Sequence, residues 1–141
     1  MSAEGFLCEA IALARDNVRA GGRPFGAVLV KEGRVIATGV NEVFATGDPT
    51  THSEVPRLDG CVIYASGHPC PMCLAAMHLT GIAEVAYAYS LADGEPYGLS
   101  TAAIYAEMAR PLAAQSLKAV HMPVRIAGED PYEMWKARTK A

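Results

Sequence analysis

Two short groups of residues in this chain have the types and order that a catalytic metal centre needs. They are His52-Ser53-Glu54 and, with its first cysteine 18 positions after that histidine, Cys70-Pro71-Met72-Cys73. Zn²⁺ takes thiolate and imidazole ligands in a tetrahedral shell, and a catalytic site supplies three of them and leaves one position open. Cys70, Cys73 and His52 form such a set, and a water in the fourth position would give up its proton far more readily than bulk water. Glu54 stands two positions past His52, where a helix would turn it away from the same ion. It can stand beside the water instead, as a proton carrier. Either group alone is weak: a CxxC also fits a thiol redox pair or half of a structural zinc site. The order HxE then PCxxC, with the glutamate as shuttle rather than ligand, is the arrangement of zinc-dependent deamination of a ring amine.

These residues need elements to hold them. Leu7, Ile11, Ala14 and Val18 recur at helical spacing from Glu4 to Ala20, and Gly21-Gly22 ends the pattern. Phe25–Val30 and Arg34–Val40 are β-rich runs around Lys31-Glu32-Gly33, which predicts a hairpin. Asn41 to Thr51 reads as a polar loop. Cys61–Ala65 is a further strand, and Pro71 to Leu79 a helix with proline in its first turn. Both cysteines of the CxxC then sit at a helix start, whose free N–H groups favour thiolate charge. Glu84–Tyr89 and Met122–Ala127 are predicted strands, and Ala92–Gly98 a loop. Ser100–Met108, Pro111–Leu117 and Asp130–Lys140 are predicted helices. A hairpin followed by alternating strands and helices implies an α/β fold, a three-layer α/β/α sandwich with a mixed central sheet.

The chain has 141 residues, which suits one domain spanning 1–141. Hydrophobic residues make up 51% and charged residues 19%, enough for a core and too apolar for disorder. The formal net charge of −3 argues against a phosphate-backbone partner, and the basic tail Lys136, Arg138, Lys140 reads as a solvated helix end. No apolar run is long enough to span a bilayer. Glu4 and Glu9 occupy the place where a signal peptide would be basic, which points to the cytoplasm. Cys8 and Cys61 are expected as small buried residues.

On these motifs the sequence resembles the cytidine-deaminase-like zinc deaminases, and within them the bacterial guanine deaminase and nucleobase deaminase branch. Pro24-Phe25-Gly26-Ala27-Val28, Asp48-Pro49-Thr50-Thr51-His52-Ser53-Glu54-Val55, Pro69-Cys70-Pro71-Met72-Cys73-Leu74-Ala75-Ala76 and Ile104-Tyr105-Ala106-Glu107 carry the likeness. The resemblance implies one Zn²⁺, a homodimer and a small nucleobase substrate, guanine first. Cytosine, a purine nucleoside or an aminotriazine-like ring are alternatives, and a zinc-binding scaffold without activity is the rival outside enzymes. It also implies that Asn41 binds the ring through its amide and that Phe25 packs on it. The N–H of Ala27 or Ser53 and the carbonyl of Gly67 or His68 would line the pocket.

Three features depart from that pattern. The resemblance implies a helix after Glu54, yet Val55 runs directly into Pro56-Arg57-Leu58-Asp59-Gly60, about a dozen residues short of expectation. Six extended residues reach ~20 Å, so the connection must be stretched. Either this chain lacks the helix or a stretch is missing from the sequence here. Thr101 stands where guanine-specific members place an acid, and a neutral hydroxyl cannot replace a charged acceptor for two donors. Glu107 and Glu129 are acids elsewhere that could compensate. His68 precedes the PC pair where relatives carry Glu or Ser, and it is expected at the pocket rim rather than as a fourth ligand.

Overall fold

The computed structural model describes residues 2–40, 57–128 and 130–139. The chain divides into two compact units, Met1–Ala109 and Arg110–Ala141. In the first, helix α1 (Ala3–Arg19) starts where the Ser2 side chain accepts the Gly5 N–H, with Glu4 complementing the positive helix end. It buries Phe6, Ala10 and Ala14; of the predicted Leu7, Ile11, Ala14 and Val18 stripe only Ala14 is buried, the buried face being turned toward Phe6 and Ala10. Ile11 and Val18 line a cleft instead. Cys8 is exposed, against expectation, because it falls outside that stripe, whereas Cys61 is buried as expected.

Strands β1 (Gly26–Lys31), β2 (Arg34–Val40), β3 (Val62–Gly67) and β4 (Glu84–Tyr89) form a sheet in the order β2-β1-β3-β4. β1 is antiparallel to β2 and β3, and β3 is parallel to β4, so the sheet is mixed as predicted. Successive strand residues face opposite sides. Val28, Val30 and Tyr64 therefore meet Phe6 and Ala10 of α1 in the core, with the Phe6 and Tyr64 rings 5.0 Å apart. α1 crosses close to the start of β1, because a Cβ on Gly26 would lie 2.5 Å from the Ala10 carbonyl oxygen. The Gly26 N–H donates to the buried Ser66 Oγ at 3.0 Å, joining the start of β1 to the end of β3.

Helix α2 (Pro71–Thr80) connects β3 to β4. Its Leu74 and Met77 line a groove with Val85. Val85 pairs with Ile63, next to the α1-facing Tyr64, so α2 lies on the face opposite α1. The predicted loop at Ala92–Gly98 is structured: α3 (Leu91–Gly94) is held by a reciprocal cap between Ser90 and Asp93, and a 3-10 turn (Glu95–Tyr97) follows. The Ser90-x-x-Asp93 spacing is a capping box with a shorter acid. Helix α4 (Ala102–Met108) agrees with the predicted Ser100–Met108 segment.

In the second unit the expected helix at Pro111–Leu117 contracts to a 3-10 turn, Leu112–Ala114. The expected strand at Met122–Ala127 has no strand pairing. Apolar residues alternate at Met122, Val124 and Ile126, but the Val124 N–H donates to the Met122 carbonyl at 2.8 Å. That tight turn about Pro123 breaks the extended run. Helix α5 (Pro131–Thr139) begins where Asp130 Oδ1 accepts the N–H groups of Tyr132 and Glu133. No side chain described in this unit is buried. Among the described residues, no helix is long and apolar enough to cross a membrane.

Candidate metal centre

The predicted cysteine pair sits at the first turn of α2. Cys70 is the cap residue in extended conformation, Pro71 takes the first helical position, and the Cys73 N–H donates to Cys70 Sγ at 3.4 Å. Both thiols are free and lie at the positive end of a ten-residue helix. Cys73 keeps part of its surface in solvent, yet the protein packed around its sulfur pushes the thiol up to about 11. The hydrogen bond with Cys70 adds to that shift. A divalent cation between the sulfurs would offset this penalty and displace both protons. The donor set therefore fits Zn²⁺. His52 and Glu54 lie outside the described residues, as do Asn41 and Ser53, and the described residues alone contain no cluster of three metal-binding side chains.

The turn before Cys70 is held from several sides. The Tyr105 hydroxyl of α4 donates to the Pro69 carbonyl, and His68 Nδ1 lies 2.9 Å from the same oxygen. The His68 backbone N–H donates to the Tyr89 carbonyl at 2.8 Å, fixing the end of β3 to the end of β4. The His68 ring stands edge-on to Tyr87 at 4.7 Å and to Tyr105 at 5.3 Å. Burial and the nearby Cys70 and Cys73 sulfurs hold the Tyr105 phenol above its usual range, so it stays a donor at neutral pH.

Phe25 packs against Gly67, at the end of β3. A Cβ on Gly67 would lie 3.2 Å from the Phe25 ring, so that ring rests on backbone only a glycine leaves bare. Phe25, Gly67, His68 and Tyr97 line, with Ile11 and Val18 of α1, a cleft of about 440 Å³; Cys70 and Cys73 do not line it. His68 is thus at a pocket rim. Ala27 is half-buried in β1 between Gly39 and Ala65, with its N–H in the plane of the sheet. Thr101 precedes α4, and its Oγ1 is buried with no hydrogen-bond partner among the described residues. Sequence reasoning assigned no role to Tyr105 or Tyr87. Tyr105 is 36 positions from Pro69, and no local pattern announces a contact at that separation.

Comparison with known proteins agrees with this geometry. Residues 1–89 match the cytidine and deoxycytidylate deaminase zinc-binding region. A guanine deaminase of Bacillus subtilis is 41% identical over 124 residues, covering 79% of this chain and 80% of that protein. That shared stretch of 124 positions takes up about 111 of the 141 residues here, so about a dozen positions of the relative have no counterpart. This accords with the short run between His52 and Cys70. The X-ray structure of guanine deaminase from Bacillus subtilis matches with a TM-score of 0.81 at 36% identity, covering 97% of this chain and 95% of that one. A tRNA-specific adenosine deaminase of Aquifex aeolicus is 34% identical over 99 residues, 62% of this chain and 66% of that protein. The chain belongs to the cytidine and deoxycytidylate deaminase family of zinc-dependent hydrolytic deaminases.

Proposed function

We propose that this chain deaminates a purine-type nucleobase, guanine first, with release of ammonia, as a cytoplasmic homodimer whose protomers are each one deaminase domain. The observation that carries the reading is the Cys70–Cys73 pair, two free thiols at the positive end of α2 on a turn held by Tyr105 and His68. The likeness to a protein named guanine deaminase supports the choice of base. His52, Cys70 and Cys73 would hold the Zn²⁺, which when bound would supply a Lewis acid for water. Glu54 would carry the first water proton to the ring nitrogen as the oxygen adds to the amine-bearing carbon, then carry the second proton from that oxygen to the amine, so that the C–N bond breaks and ammonia leaves. Asn41 hydrogen-bonds the ring edge, Phe25 stacks against the ring, and the N–H of Ala27 or Ser53 lines the pocket.

Thr101 favours a second reading of the substrate. Its buried hydroxyl, without a partner among the described residues, suits a polar ring edge, but it offers one neutral oxygen where guanine presents two donors. Cytosine, a purine nucleoside or an aminotriazine-like ring make fewer demands there. An RNA substrate is disfavoured by the net charge of −3. Ammonia release over a panel of these rings and a tRNA decides the matter. Guanine is expected to react fastest, and activity confined to RNA would overturn the choice. Glu54→Ala should keep its zinc and lose roughly 10²–10⁴-fold in kcat. Loss of the zinc instead would favour a structural metal in a scaffold. The homodimer is supported by the second unit, where Leu117, Met122, Val124 and Ile126 are each more than 70% exposed. Such surface ordinarily meets a partner.

A further inference from the structure

The Pro69 carbonyl lies one residue before the first cysteine, and it is the handle by which Tyr105 of α4 and the adjoining His68 grip the metal turn. Prolines at 69 and 71 fix the backbone on both sides of Cys70 and remove the N–H donors that could otherwise pin it. Cys70 itself is extended, at φ −69° and ψ 163°, as a residue before proline must be. The Pro69 carbonyl oxygen has two lone pairs and can accept from two donors. The Tyr105 hydroxyl donates to it from α4, and His68 Nδ1 approaches it at 2.9 Å. A carbonyl can only accept, so Nδ1 carries the proton in this contact. His68 is fixed in turn by the Tyr89 carbonyl and by the edges of Tyr87 and Tyr105.

We propose that Tyr105, acting with His68 on the Pro69 carbonyl, is a positioning residue that holds Cys70 and Cys73 in metal-binding geometry. Metal–ligand distances tolerate about 0.2 Å, and a turn free to shift by more would loosen both sulfurs together. Partners behind a metal ligand are commonly worth about 10- to 100-fold in affinity. The inference rests on Cys70 and Cys73 being the thiolate ligands.

Tyr105→Phe tests it, because the ring and its contact with His68 remain and only the donor is lost. Zinc affinity is measured by competition with a chromophoric chelator, and ligand geometry by the thiolate-to-metal absorption of the cobalt-substituted protein. Tyr105→Phe should weaken zinc binding about tenfold or more. It should also alter the cobalt spectrum and lower kcat with KM unchanged, while the metal-free protein melts as the parent does. His68→Asn keeps an amide donor within reach of the carbonyl and should fall between the parent and His68→Ala. Tyr64→Phe, on the α1 face, should change none of these. Unchanged zinc affinity and cobalt spectrum in Tyr105→Phe overturn the inference. So does a loss of stability equal in the metal-free and metal-loaded forms. If Cys70→Ala also leaves zinc affinity and the cobalt band untouched, the ligand assignment itself has failed.

Discussion

The two faces of the sheet are built differently. On the α1 face Val28 is 0% exposed and Val30 4%, and Phe6 and Ala10 close over them. On the other face the row Leu29–Ile63–Val85, paired across β1, β3 and β4, is only half-buried, and Tyr87 and Tyr89 are exposed. A groove remains between α2 and β4, lined by Leu74, Met77 and Val85. Apolar burial sets stability, so the first face holds the fold together. The second carries the metal turn, and there position comes from hydrogen bonds to the Pro69 carbonyl and the His68 N–H. The structure separates the part that keeps the chain folded from the part that places its sulfurs.

That contrast is open to direct attack by truncating one side chain on each face. Phe6→Ala empties the centre of the α1 face and should cost about 3–5 kcal/mol of unfolding free energy. Leu29→Ala removes a half-buried side chain and should cost roughly 1–2 kcal/mol, since less area leaves water on folding there. Urea unfolding monitored by far-ultraviolet dichroism measures both. Equal costs would show the second face to be as tightly covered as the first. Ile126→Ala, in a side chain 87% exposed, should change protomer stability by no more than about 0.5 kcal/mol. A larger loss that grows as the protein is diluted would locate its packing in the homodimer.

Much of this architecture was readable from residue order. The hairpin, the strands at β3 and β4, and the helix opening on Cys70-Pro71 follow from alternation and from proline and glycine punctuation. These signals are local. The failures were of other kinds. Helix periodicity indicated an apolar stripe on α1, but Phe6–Ala10–Ala14 and Leu7–Ile11–Ala14–Val18 both satisfy it and share Ala14, and only contact with β1 chooses between them. Alternation at Met122–Ala127 has the look of a strand, yet a strand needs a neighbouring ladder, and Pro123 supports a tight turn instead. At the site, the cysteine pair at a helix start was legible from its motif, whereas the packing of Phe25 by Gly67 was not. Nor was the grip of Tyr105 on Pro69, because it depends on where α4 folds back.

The smallest expected effect lies at the far end of α2, where Arg57 and Asp59 pair at 2.6 Å beside its last turn. The Leu58 N–H donates to the Thr80 carbonyl between them, so this pair ties the chain entering β3 to the end of the helix. The Arg57 guanidinium, chiefly through its hydrogen bonds, holds the Asp59 carboxyl below its ordinary value. A carboxyl with a lowered folded-state pKa adds stability above its unfolded value, and that stability is lost as pH falls through the folded one. Both side chains are about two-thirds exposed, so solvent and salt screen the pair and its contribution is small. Asp59→Asn should therefore lower the urea midpoint slightly at neutral pH. The difference should close in acid below the carboxylate range, and close again at high salt. A difference that persists in acid cannot come from the charge, and would assign the contact's value to packing against α2 instead.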